Sequence, residues 1–157
     1  MRFSPVDALF ISTDFSRDHL HYVSPFDDVI IAVEEVSLRH DVIKRIKHVK
    51  KRYIILLSEI ELGCHVKINN IIYSSLHFSL KSLQHLVKFN HTLAENNFTQ
   101  REYDVLKLAH LRNCKIAEKL NLSQKTTSTY RTKIQEKLSM RAKNALAMHR
   151  IKAAIIN

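Results

Sequence analysis

The chain contains one glycine, Gly63, in 157 residues, together with two prolines and two cysteines. Phosphate-cradling loops of the GxGxxG and GxxxxGK[ST] kinds, and the GxSxG turn of hydrolase nucleophiles, need several glycines where backbone approaches a ligand or turns sharply. None of them can be built from this sequence. Cys64 and Cys114 are too few and too far apart for a disulfide framework or a CxxC knuckle, so both read as reduced thiols. The longest purely apolar runs are about five residues, against roughly 18 for a membrane span. Met1 to Phe15 is interrupted by Pro5, Asp7 and Asp14 and lacks the apolar block of a signal peptide. Among ten histidines, His19 with His21, and Cys64 with His65, complete no ligand set at a known spacing. The expectation is a soluble, cytoplasmic protein with no catalytic residues, no metal and no cofactor.

The charge is plentiful and unevenly placed. A composition of 25% charged and 45% apolar residues describes an ordinary folded chain, with a net charge of +10 and a pI near 9.8. Residues 1–95 carry 12 Lys/Arg and 11 Asp/Glu, whereas residues 96–157 carry 13 Lys/Arg and 4 Asp/Glu, so the two parts hold +1 and +9. A field of that size in a short segment attracts polyanions, of which nucleic acid is the commonest. Two domains are expected, 1–92 and 93–157, with the boundary where Glu95, Asn96 and Asn97 interrupt the apolar periodicity.

In the first part, β-type runs recur at Ala8–Thr13, Val29–Val33, Tyr53–Leu57 and Asn70–Tyr73. Helical spacing separates or follows them, through Leu38, Val42, Ile46 and Val49, and through Leu76, Leu80, Leu83 and Val87. Strands apolar on both faces, alternating with helices, predict a small parallel α/β sheet. The basic run from Lys44 to Arg52 is interleaved with Ile43, Ile46 and Val49 and reads as the solvated face of an amphipathic helix.

This part resembles a shortened response-regulator receiver domain. The resemblance implies a phosphorylatable aspartate and an acidic pair holding Mg2+, and the sequence departs from that pattern. The first run ends Ser12, Thr13, Asp14, with one carboxylate rather than two; Val29–Val33 leads to Glu34 and Glu35; and no lysine lies between Asn69 and Leu80. A degenerate receiver-like domain that pairs with partners rather than relaying phosphate is the expectation. A metal site at Asp14, Asp27, Asp28 and Glu34, in a receiver that still phosphorylates itself, is the least favoured alternative.

The last sixty residues are more explicit. In FTQRE, Thr99 followed three positions on by Glu102 makes a capping box, starting a helix whose stripe continues through Tyr103, Leu106 and Ala109 or His110. A short helix follows with Ile116, Ala117 and Leu120. Asn121-Leu122-Ser123 then ends it and caps the next, giving helix-turn-helix geometry. From Gln124 to about Leu138, Thr127, Tyr130, Ile134 and Leu138 share one sector and are expected in the core. The opposite sector holds Lys125, Thr129, Thr132 and Glu136, flanked by Ser128 and Lys133. Ten residues from Gln124 to Lys133 include no aliphatic side chain. Short hydroxyl and basic side chains let a helix backbone approach a major groove and offer donors to bases and phosphates.

FTQRE, VLKLA and KIAEKLNLSQKTTSTYRTKIQEKL resemble the LuxR/NarL/FixJ-type DNA-binding domain, whose pattern runs LTxRE, VLxL, NKEIAxxLxIS, TVxxH and NIxxKL. The likeness covers about Phe98 to Ile151. It implies a four-helix, all-α domain that binds duplex DNA, with Lys125, Thr126, Ser128, Thr129, Arg131, Thr132 and Lys133 at the interface. Within that set, the resemblance puts Thr126 and Lys133 at phosphates and Ser128, Thr129 and Thr132 nearest the bases. It also implies that a fourth helix, Asn144 to Ile156, pairs two chains through Leu146, Ile151 and Ile155, monomer core being the competing use of these three. The link Ala109–Asn113 is shorter than the family's and lacks its glycine, Ser139 replaces a second glycine, and Thr127, Ser128 and Tyr130 stand where Val, Lys and His are frequent. The expected protein is a bacterial transcriptional regulator acting as a dimer and independently of phosphorylation. The alternative is a co-regulator that heterodimerises with a full-length relative.

Overall fold

The computed structural model describes residues 28–46, 52–89 and 93–156. The expected strand Ala8–Thr13, Asp14, Asp27, His19, His21, and Lys47 to Lys51 of the basic run lie outside the described residues.

β1 (Asp28–Ile31), α1 (Val36–Ile46) and β2 (Arg52–Leu57) form a β-α-β unit in which β1 and β2 are parallel, with Ile31 opposite Ile55. The helix begins immediately after the acidic pair because the Glu35 carboxylate accepts from the Ser37 and Leu38 N–H groups at 3.0 and 2.8 Å. That occupies donors every helix leaves free in its first turn. β2 also pairs in parallel with β4 (Ile71–Ser75), and β3 (His65–Ile68) runs antiparallel to β4, giving the order β1-β2-β4-β3. The expected parallel arrangement therefore holds for three strands. β3 adds an antiparallel edge that the apolar patterning did not reveal, being four residues long with only Val66 and Ile68 buried.

The hairpin that creates β3 turns on Asn69 and Asn70, at φ 49° and 63°. Two-residue hairpin loops favour turns with positive φ at both central positions, a place usually given to Asn-Gly. Here asparagine takes both positions, since its short polar side chain tolerates the left-handed region better than most.

Both sheet faces are apolar, so both need a cover. Alternate residues of β2 point to opposite sides. Ile54 and Leu56, with Ile72, are covered by Leu83, Leu86 and Val87 of α2 (Leu80–Phe89). Ile55, Leu57, Val66, Ile68 and Tyr73 face the other way, where Ile43 of α1 covers only part of the surface.

The remainder is covered by the last part of the chain. It comprises α3 (Gln100–Lys107), α4 (Asn113–Leu120), α5 (Gln124–Lys137) and α6 (Ala145–Ile155). Val105, Leu106, Ile116, Ile134, Leu138, Met148 and Ile151 are buried in the same cluster as Ile55, Leu57 and Tyr73. Each such side chain fully removed from water contributes about 1.5–3 kcal/mol. Backbone bonds stitch the contact: Glu61 N–H donates to Ser139 O and Arg141 N–H to Glu59 O, each at 2.9 Å. The Tyr73 hydroxyl donates to Ala154 O of α6 at 3.4 Å.

A buried charge sits in this seam. Arg39 of α1 is 1% exposed and donates to Val33 O and, across the seam, to Arg150 O at 3.1 Å. Arg150 Nη1 lies 3.8 Å from the Glu59 carboxylate, and Arg39 Nε and Glu59 Oε2 are buried without a hydrogen-bond partner among the described residues. Burial holds the Arg39 pKa below its ordinary value, with Glu59 opposing and Arg150 adding to the effect. Removing one charge of such a cluster leaves the other uncompensated.

Candidate nucleic-acid interface

α3 is anchored by the expected capping box. Glu102 N–H donates to Thr99 Oγ1 at 3.3 Å and Thr99 N–H to Glu102 Oε2 at 2.8 Å. The same carboxylate receives Lys137 Nζ from the last turn of α5 at 2.7 Å, and Lys137 also donates to Asn97 O. Burial acts to raise the Glu102 pKa, but the bonds from Lys137 and Thr99 and the lysine charge outweigh it and hold the group below the ordinary carboxylate value. The start of α3 and the end of α5 are thereby fixed to each other.

The turn before α5 is as short as the sequence implies. Asn121 closes α4 at φ 52°, and Leu122 N–H donates back to Ala117 O at 2.9 Å. Such a closure normally uses glycine. Ser123 Oγ then accepts from Thr126 N–H at 3.0 Å and caps α5.

On α5 and its C-cap, Thr127, Ile134 and Leu138 are fully buried and Tyr130 half-buried, the sector that the spacing predicts. Gln135 is buried as well, which the apolar pattern could not show. Lys125, Ser128, Thr129, Thr132, Lys133 and Glu136 are exposed together on the outer side. Two of the expected hydroxyls are engaged locally: Thr129 Oγ1 donates to Lys125 O at 3.1 Å, and Thr126 Oγ1 lies 2.8 Å from Ser123 Oγ. Ser128 and Thr132 line an open groove of about 620 Å3 together with Arg131, His110, Arg112 and Lys143. Arg112, in the α3–α4 link, and Lys143, in the α5–α6 link, are exposed cations missed from sequence because nothing local says which face a link residue will join. Partial burial, then the nearby Lys152 and His149, hold the His110 pKa below its usual value.

Arg131 is engaged within the chain. Expected on the DNA face, it is half-buried and points toward the α3–α4 link, donating to Ala109 O at 3.0 Å, Leu111 O at 3.1 Å and Asn113 Oδ1 at 2.8 Å. Loss of water around the guanidinium lowers its pKa.

The expected pairing residues also separate. Leu146 is 62% exposed, but Ile151 is 0% exposed in the chain's own core and Ile155 packs against that core. Ile151 is therefore a core residue, the competing use of the helix, because the second face of the sheet needs a cover and α6 supplies it.

Two helices joined by a tight turn, the second anchored by its apolar side and presenting an outer face of hydroxyls and lysines, define a helix-turn-helix DNA-binding module. Residues 96–150 match the GerE family model, described as bacterial regulatory proteins, luxR family. This segment is a luxR-family domain, and the chain carries the DNA-binding module of a transcription regulator. No curated protein matches the chain. No helix among the described residues is long and apolar enough to cross a membrane.

Proposed function

We propose that the chain regulates bacterial transcription by inserting α5 into the major groove of promoter DNA. Ser128, Thr129 and Thr132 lie nearest the base edges; Lys125, Thr126 and Lys133 meet phosphates, joined by Arg112 and Lys143 from the groove. The observation that carries this reading is the outer face of α5, exposed over three turns and bare of aliphatic side chains, on a helix whose inner face is fully packed.

Residues 1–92 act in assembly or partner control, not in phosphorelay, and residues 93–157 form the DNA-binding unit. Supporting this, Asp28 is held by Arg52 at 2.8 Å and Glu35 is committed to the first turn of α1. Incorporation of label from a small phosphodonor would contradict phosphorylation independence. Pairing of two chains belongs to the proposal, with Leu146 the exposed apolar residue of α6; pairing through Ile151 would require α6 to leave the sheet.

Selection of bound sites from a random duplex pool, followed by titration in salt, tests the reading. An enriched palindrome supports a homodimer and an asymmetric site a heterodimer. Log affinity should fall with log salt by about 0.9 per phosphate neutralised. No enrichment and a flat salt response would sink DNA binding and leave the co-regulator that acts through a related chain.

A further inference from the structure

Arg131 lies in the middle of α5, between Ser128 and Thr132, and lines the same groove, yet its guanidinium is taken up by acceptors of the chain itself. Three acceptors receive it: the carbonyls of Ala109 and Leu111 and the side chain of Asn113. These belong to the link between α3 and α4 and to the first residue of α4. The N-cap of α4, Arg112, makes no side-chain cap bond, and the bonds from Arg131 tie this end of the helix to α5. The planar fork of arginine can serve several fixed acceptors at once, which a lysine ammonium on a flexible stem does not reproduce.

We propose that Arg131 is a positioning residue for DNA recognition, setting how α5 lies against the α3–α4 link and hence where Ser128 and Thr132 meet the bases, without contacting DNA itself. The inference rests on the DNA-binding reading and adds to it a division of labour within one helix. Ser128 and Thr132 share the groove with Arg112, Asn113 and Arg131 itself, so a tie made at the groove wall holds base-proximal and phosphate-proximal groups in a common frame. If the tie is lost, α5 keeps its inner packing through Thr127, Ile134 and Leu138 but gains freedom to tilt. Base contacts depend on placement, whereas phosphate attraction is long-ranged and tolerant of it.

The test compares Arg131→Met and Arg131→Lys with the unaltered full chain, on the selected site and on random duplex over a salt series, with amide hydrogen exchange on the free proteins. Specific affinity should fall about ten-fold or more in both variants, while non-specific affinity stays within about two-fold and the salt slope is unchanged. Exchange should quicken at Ala109–Asn113 and along the first turns of α5, with the sheet and α6 unaffected. A salt slope lower by about 0.9 in Arg131→Met would make Arg131 a phosphate contact and overturn the proposal. Full recovery of specificity in Arg131→Lys would overturn it too, since charge alone would then suffice. Should Arg131→Met fail to fold, Asn113→Ala removes one of the three acceptors and should give a smaller loss in the same direction; no loss there counts against the proposal. If the unaltered chain binds no duplex, the DNA-binding reading fails, whereas unchanged exchange at the link would remove the tie itself.

Discussion

α5 and α6 are neighbours in sequence and both have the composition of an interaction surface, but they meet opposite fates. The outer face of α5 stays open from Lys125 to Lys133, and its inner residues Thr127, Ile134 and Leu138 fill the module's core. α6 loses most of its apolar residues to the interior: Ala147, Met148, Ile151 and Ala154 are buried, leaving Leu146 exposed. A polar face declares its exposure, because burying it without partners costs several kcal/mol. An apolar face declares only that it will be covered, and the cover can be any matching surface, from this chain or another. For α6 it is the sheet and α1, through Tyr73 of β4 and Arg39 of α1.

The sharpest way to break this contrast is Ile151→Ala, which should destabilise the monomeric fold by about 2–5 kcal/mol, as expected for a cavity in a packed core. Leu146→Ala should stay within about 0.5 kcal/mol. Denaturant unfolding of both variants measures it. If Ile151→Ala instead leaves stability intact and abolishes self-association, α6 is an intermolecular surface and the contrast collapses.

A second prediction concerns what anchors α5 from below. Because Glu102 titrates below its ordinary value in the folded chain, its contribution to stability is present above the unfolded pKa near 4.5 and is lost as pH falls through the folded value. Glu102→Gln should cost about 1.5–3 kcal/mol at neutral pH, the range for hydrogen bonds to a charged group. The same variant should flatten the stability profile over the acid range. A variant as acid-sensitive as the unaltered chain would show that another group sets that dependence.

On the open face, Thr132→Ala should reduce discrimination between sites by about 1–3 kcal/mol, the range for a lost base contact. Lys133→Ala should weaken every duplex alike and lower the salt slope by about 0.9. Competition binding with one preferred and one scrambled duplex separates these outcomes, and a site-selective loss in Lys133→Ala would reverse the two assignments.

The smallest effect is at the end of α5, where Ser139 sits at φ 46° while its N–H donates to Glu136 O and Met140 N–H to Gln135 O. This closure favours glycine. Ser139→Gly should raise stability by about 1 kcal/mol, the strain of a left-handed non-glycine residue, visible as a higher melting temperature.

Much of the local structure around the candidate site was legible from sequence for a local reason. The capping box at Thr99, the cap at Ser123, and the division of α5 into inner and outer sectors each depend on residues within one or two turns. The strands Asp28–Ile31, Arg52–Leu57 and Ile71–Ser75 were marked by continuous apolar runs. β3 was not, because its turn uses Asn-Asn in place of the usual glycine and its four residues alternate too briefly. The bonds of Arg131 were not legible for a different reason: a cation on a helix looks the same in sequence whether it is open to solvent or bonded to a carbonyl twenty residues earlier.

One glycine in the whole chain already excluded nucleotide-cradling loops, and it forced the tight turns at Asn69, Asn70, Asn121 and Ser139 onto other residues at positive φ. Sequence alone also located the basic, hydroxyl-rich helix, since its period and charge are properties of consecutive residues. Only the tertiary structure decided that α6 covers the sheet, that Arg39 and Glu59 are buried against it, and that Arg131 serves the backbone. Each of those outcomes depends on which distant surface arrives at a given face, a pairing that no local pattern encodes.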